Sequence, residues 1–106
     1  MNFVFISPEF PKNFFNFCKE LKNRGVNVLG VGSNFYDDLS DELKDSLTDY
    51  YRVNNMEWYD DVYRAVAYFA SKYGKIDYIE SNNEYWLELD AHLRTDFNVK
   101  KKKKDD

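Results

Sequence analysis

The chain has 106 residues, 43% of them hydrophobic and 19% aromatic, enough for one core and too few for two independent ones. It carries 15 Lys and Arg against 19 Asp and Glu, but five of the cations stand together at 100–104, followed by two aspartates; residues 1–99 keep 10 cations and 17 anions, a balance of −7 that argues against nucleic acid as the main partner. One cysteine and one histidine exclude an intramolecular disulfide, a thiol-rich metal site and multi-histidine ligation.

The opening MNFVFISPEF has neither a basic start nor a long apolar stretch, so it does not read as a signal peptide, and no run approaches the roughly 18 apolar residues of a membrane span. A cytoplasmic protein with no membrane contact is the expectation. Residues 2–6, NFVFI, read as a buried strand that stops at Ser7 and Pro8. Over 11–24, Phe14, Phe17, Cys18 and Leu21 share one helical face, and Gly25 after Lys22 and Arg24 is a sound stop. Residues 26–31, VNVLGV, read as a second strand. Ser40 is placed to cap a short helix over 41–47, with Asp41 and Glu42 in its first turn. Residues 50–53 read as a third strand.

The clearest helix covers 59–73, where Tyr59, Val62, Tyr63, Val66, Phe69, Ala70 and Tyr73 form one stripe ended by Gly74. Residues 76–79, IDYI, read as a fourth strand. Ser81 and Glu84 fit an S-x-x-E capping box that opens a helix over 82–95, with Trp86, Leu89 and Leu93 inward. Residues 97–99 could begin a fifth strand. Short apolar strands alternating with helices define an α/β protein: a small Rossmann-like three-layer sandwich on a four-stranded parallel sheet, or five-stranded if the last segment joins it. The expected strand order, 3-2-1-4, brings the loops at 7–11 and 80–84 to one crevice.

The first loop, SPEFP, lacks the glycines that let a backbone approach a pyrophosphate, which argues against NAD or FAD in the usual mode, and no P-loop is present. Gly30 and Gly32 make a lone G-x-G, read as a strand exit that needs a permissive φ. The densest polar cluster beside a strand end is Glu80, Ser81, Asn82, Asn83 and Glu84. Its plain reading is a helix cap; its functional reading is a set of amide donors at a helix start, able to meet a carboxylate or phosphate. Glu9, Glu80 and Glu84 would repel an anion and suit an amine-bearing or metal-bridged ligand better. Cys18 reads as a buried, inert thiol and His92 as a surface residue. The spacing supports no hydrolytic triad, and no catalytic residue is assigned.

Taken in order, FVFISPEFP at 3–11, LKNRGVNVLGVGS at 21–33, LTDYYRV at 47–53 and YGKIDYIESNNEYWLELDAHLRTDFNV at 73–99 resemble the N-terminal, pre-ATP-grasp domain of ATP-grasp enzymes of the biotin carboxylase and carbamoyl phosphate synthase-like group. The resemblance implies a domain over 1–99 that shapes the substrate side of a cleft in a ligase that activates carboxylates with ATP. ATP and Mg would be held by a separate catalytic module following residue 99, and this chain alone would bind neither and turn over no ATP. By the family pattern, Ser7 and Pro8 after the first strand and Glu80, Ser81, Asn82, Asn83 and Glu84 after the fourth would line the cleft for substrate, while Arg94 packs the junction. Relatives continue past F-N-[IV] with a glycine-containing linker; Lys100 stands there instead, so 100–106 reads as a flexible charged tail or a truncation end. The implied partner is the catalytic module or a second copy of the chain. Two other functions fit the residues: an interaction or oligomerisation module using an aromatic surface around Trp58, Tyr59, Tyr85 and Trp86, and a regulatory domain that binds an amino acid or nucleotide.

Overall fold

A computed structural model describes residues 1–100; the expectations for 101–106 lie outside the described residues. Four strands, β1 (Asn2–Ile6), β2 (Asn27–Gly32), β3 (Asp49–Arg52) and β4 (Tyr78–Ser81), form one sheet in the order β3-β2-β1-β4. Every pair is parallel, as the alternation of strands and helices requires. Four helices connect and follow them: α1 (Phe15–Asn23), α2 (Asp41–Ser46), α3 (Tyr59–Tyr73) and α4 (Leu87–Asp96). No helix among the described residues is long and apolar enough to cross a membrane.

The pleat sorts side chains between two cores. Val4, Ile6, Leu29, Val31 and Ile79 point to one face, where the apolar stripe of α3 (Val62, Ala65, Val66 and Phe69) and Leu93 of α4 cover them. Phe5 and Val28 point to the other, under Phe14, Cys18 and the Leu39–Leu43–Leu47 set around α2. The second layer is narrower. It leaves the outer strand β4 bare on that face, where Tyr78 packs against Phe3 with ring centres 4.4 Å apart and planes tilted by 51°.

The helix stops follow the expected chemistry. Gly25 and Gly74 carry φ of 87° and 96° just past α1 and α3, which a side chain would resist. Ser40 caps α2 by accepting from the Leu43 amide at 3.1 Å.

Several expectations need correction. β3 starts one residue earlier than expected and β4 two residues later, because Tyr78 rather than Ile76 meets Phe3 of β1. α1 begins at Phe15, not at 11; the Phe14 amide bonds the Pro11 carbonyl in a separate turn. Phe17, expected inward, is 52% exposed. No fifth strand forms among the described residues, because Asn98 turns at φ 55° and Val99 folds back to donate to the Arg94 carbonyl at 2.7 Å. Gly30 and Gly32 are not needed for φ, since neither is in the left-handed region. They are needed for space: a Cβ on Gly30 would stand 3.0 Å from Pro8, and one on Gly32 would stand 2.8 Å from the Tyr50 hydroxyl.

Candidate functional site

Parallel strands place all four carboxyl ends on one rim of the sheet, and Ile6 of β1 is paired directly with Ser81 of β4. The segments that follow the four strands therefore meet there. Ser7, just past β1, turns the chain with φ 53°, and its amide bonds the Val31 carbonyl at 2.8 Å, so the first loop is tied across the end of β2. The result is a crevice of about 690 Å3 whose wall takes Ser7 and Glu9 from the β1 loop, Ser33 from the β2 loop, Asn55 from the β3 loop, and Asn83 and Trp86 from the β4 loop. A smaller crevice of about 370 Å3 lies beside it, between the loops after β1 and β2, and shares Glu9 and Lys12 with the first.

Six of the seven residues singled out for the cleft divide among three concavities, and the seventh lines none of them. Ser7 and Asn83 line the larger crevice, and Pro8 the smaller. Glu80, Ser81 and Asn82 line a different concavity of about 520 Å3, on the bare face of β4, with Phe5, Phe17 and Tyr78. Glu84 is exposed.

The expected capping box does not form. Asn83, not Ser81, accepts from the Tyr85 amide at 3.0 Å and opens a 3-10 turn over Glu84–Trp86. The Ser81 hydroxyl instead donates to Asp90 Oδ2 at 2.5 Å. Asp90 has no exposed surface, and its Oδ1 has no partner. Burial pushes its carboxyl up to about 6, against the pull of the Ser81 hydroxyl and Arg94, with Glu80 adding to the rise. Arg94, 7% exposed, donates to the Ile79 carbonyl at 2.7 Å and pairs with Glu80 at 3.5 Å, so it ties α4 to β4.

Glu9 is the other carboxylate shielded at this rim. Its Oε1 is enclosed and unpartnered. Burial pushes its carboxyl up from the ordinary carboxylate value, making it a weaker acid, while its own amide and the Ser7 side chain pull the other way. Tyr50 stands beside it, and its hydroxyl donates to the Asn34 carbonyl at 2.7 Å. Burial first, and then the Glu9 charge, keep that phenol protonated well beyond its usual range. Glu57, across the crevice, accepts from the Tyr85 hydroxyl. Among the described residues no three His, Cys, Asp or Glu side chains converge to hold a metal ion.

Asp90 was missed in the sequence because an aspartate in a polar stretch reads as solvated. Its spacing, four residues after Trp86 and three before Leu93, marks the inward stripe it occupies. Tyr50 had no local signal; only the parallel register of β3 on β2 brings it to Glu9.

The architecture is that of a small Rossmann-like α/β domain with a crevice at the carboxyl rim of its sheet. Its fold matches part of the crystal structure of an L-amino acid ligase from Bacillus licheniformis, with a TM-score of 0.65 and 17% sequence identity; the match covers 95% of this chain and 24% of that one. No protein-family model matches the chain, and no curated protein matches it in sequence. The likeness therefore shows a fold shared with about a quarter of that L-amino acid ligase, and nothing finer.

Proposed function

We propose that this chain is the substrate-side domain of an ATP-grasp ligase-like protein, working with a separate ATP-binding catalytic module and turning over no ATP by itself. The observation that carries this reading is the overlay of nearly the whole chain on a quarter of an amino acid ligase, with the four strand ends gathered around one crevice. The rim chemistry agrees. The first loop, SPEFP, has no glycine to cradle a phosphate, and the crevice wall carries Glu9, Glu57 and several amides against a single cation, Lys12. Phosphoryl transfer depends on several positioned cations around the moving phosphate, and Lys12 by itself does not make such a set. Calorimetry with Mg-ATP and a phosphate-release assay test the reading. No micromolar binding and no turnover are expected, and micromolar binding with turnover by this chain overturns it.

The bare face of β4 favours a second reading, an interaction module. Phe3, Phe5, Phe14, Phe17, Leu21 and Tyr78 line its concavity, and Phe17 is half exposed with its ring 6.0 Å from that of Phe5. Light scattering across a concentration series discriminates. A dimer abolished by Phe17→Ser supports this reading, and a monomer at every concentration counts against self-association.

A further inference from the structure

We propose that Glu9 anchors the primary ammonium group of a small, amino-acid-sized ligand in the rim crevice. This deepens the substrate-side reading by naming a ligand class. It stands on the crevice side chains, and its test uses no ATP, so the two can fail separately.

Asp90 also has an unpartnered oxygen, but it has no exposed surface in α4 and lines neither rim crevice; of the four glutamates at or beside the larger crevice, three are accounted for. Glu80 is paired with Arg94, Glu57 accepts from Tyr85, and Glu84 is exposed to water. Glu9 alone of the four has a water-excluded oxygen, Oε1, that accepts no hydrogen bond; its own amide and the Ser7 side chain act on the carboxyl group but leave that oxygen unmatched. The neighbours that could satisfy it do not. The Tyr50 hydroxyl proton is committed to the Asn34 carbonyl. Lys12, which lines both crevices with Glu9, forms no ion pair with it within 4.0 Å.

An unpaired buried carboxylate oxygen has given up water without gaining a donor, so its place in the fold works against stability. The local backbone makes room for it all the same. A Cβ on Gly32 would stand 3.3 Å from Glu9 Oε1 and 2.8 Å from Tyr50 Oη, so both oxygens face one notch that any other residue would fill.

The missing partner is a donor-rich cation. An ammonium offers three N–H groups and would gain a short, charge-assisted bond to the carboxylate, with the Tyr50 oxygen as a further acceptor. A metal ion would want more ligands than this corner brings together among the described residues. Because the residue is only half buried and borders both crevices, rotation about its last side-chain torsion, which is soft, presents the carboxylate to a ligand. Ser33 and the Asn54 and Asn55 amides, on the same crevice wall, suit the polar body of such a molecule.

The test is an NMR titration of the isotope-labelled full chain with glycinamide, and with N-acetylglycinamide as the uncharged control. Glycinamide is expected to give saturable shifts at the amides of Ser7, Gly32 and Asn55 and at the Glu9 side-chain carboxyl carbon, and the acetylated compound none. Glu9→Gln, with a melting temperature no lower than that of the parent, is expected to weaken glycinamide binding at least about tenfold. The carboxyl-carbon readout uses the unaltered chain and so does not depend on how the variant folds. Absence of saturable shifts, an unmoved Glu9 carboxyl carbon, equal binding of the acetylated compound, or unchanged affinity in a folded Glu9→Gln protein would each overturn the proposal.

Discussion

The Ser81 hydroxyl, at the end of β4, donates a 2.5 Å hydrogen bond to Asp90, a carboxylate with no exposed surface in α4. The bond joins the strand that ends at the crevice rim to the helix packed beneath it. It also leaves the second oxygen of Asp90 without a partner. Because burial holds the Asp90 carboxyl up to about 6 in the folded chain, against an ordinary 3.8, the folded state binds its proton more tightly than the unfolded state. This contribution to stability is whole below pH 3.8 and is lost as pH rises through about 6. Asp90→Asn keeps an acceptor for Ser81 and removes the titration. Urea unfolding at pH 5 and pH 8 is expected to show the parent losing about 1 kcal/mol more than the variant, because the unfolded carboxyl is already ionised at pH 5. Parallel pH profiles for the two proteins would show that Asp90 carries no such penalty.

Asp49 has the opposite sign. Burial pushes its carboxyl up, but hydrogen bonds from Lys72 at 2.9 Å, Tyr73 at 2.8 Å and the Tyr50 amide at 2.8 Å outweigh it, and the net shift is downward. Its stabilising share is therefore present above the ordinary 3.8 and lost as pH falls through the lowered value. The pair with Lys72 is partly solvated, so the effect is small and falls with salt. Asp49→Asn is expected to lower the urea midpoint at pH 7 and to match the parent at acid pH. A difference that persists unchanged to pH 2 would assign its role to packing of β3 on α3.

Gly32→Ala tests space at the rim. The added methyl carbon would lie 2.8 Å from the Tyr50 hydroxyl, which the Asn34 carbonyl holds in place, so the ring must shift or its hydrogen bond must break. Overpacking of this kind costs about 1–3 kcal/mol. The variant is expected to unfold at lower urea and to show its largest amide shifts at Asn34 and Glu9. A variant as stable as the parent, with Tyr50 unmoved, would show that the loop after β2 yields freely.

Much of the architecture was legible because it rests on local chemistry. The runs NFVFI and VNVLGV are apolar on both faces, Gly25 and Gly74 stop two helices, and the order of elements leaves few topologies for a parallel sheet. The errors arise where a tertiary partner outbids a local motif. Ser81 and Glu84 have capping-box spacing, but Asp90, nine residues after Ser81, takes the hydroxyl, and Asn83 caps the turn instead. Ile76 looks like strand and is buried, yet it packs in the approach to β4 while pairing with β1 begins at Tyr78. Phe17 lies on the apolar stripe of α1, but the helix layer stops short of β4 and leaves the ring half exposed. The rim crevice was foreseeable from strand order. Its membership was not, because which loop side chains turn inward depends on positions such as the φ of Ser7 and the missing Cβ of Gly32.

Cys18 offers a probe of how the narrower helix layer opens. Its side chain is wholly buried in the core that Phe5, Phe14, Val28 and Leu43 form under α1 and α2, and burial pushes its thiol up to about 12. At pH 8 the reactive thiolate is then on the order of one part in ten thousand, and reagent has no path to it while α1 is seated. A disulfide reagent in native buffer is expected to label Cys18 at least about a thousandfold more slowly than in urea, because labelling must await opening. If release of α1 needs global unfolding, the rate should follow the unfolding free energy as urea is raised. Rapid labelling in native buffer, with the far-UV spectrum intact, would instead show that α1 lifts away from the sheet by itself, beside the bare aromatic face of β4.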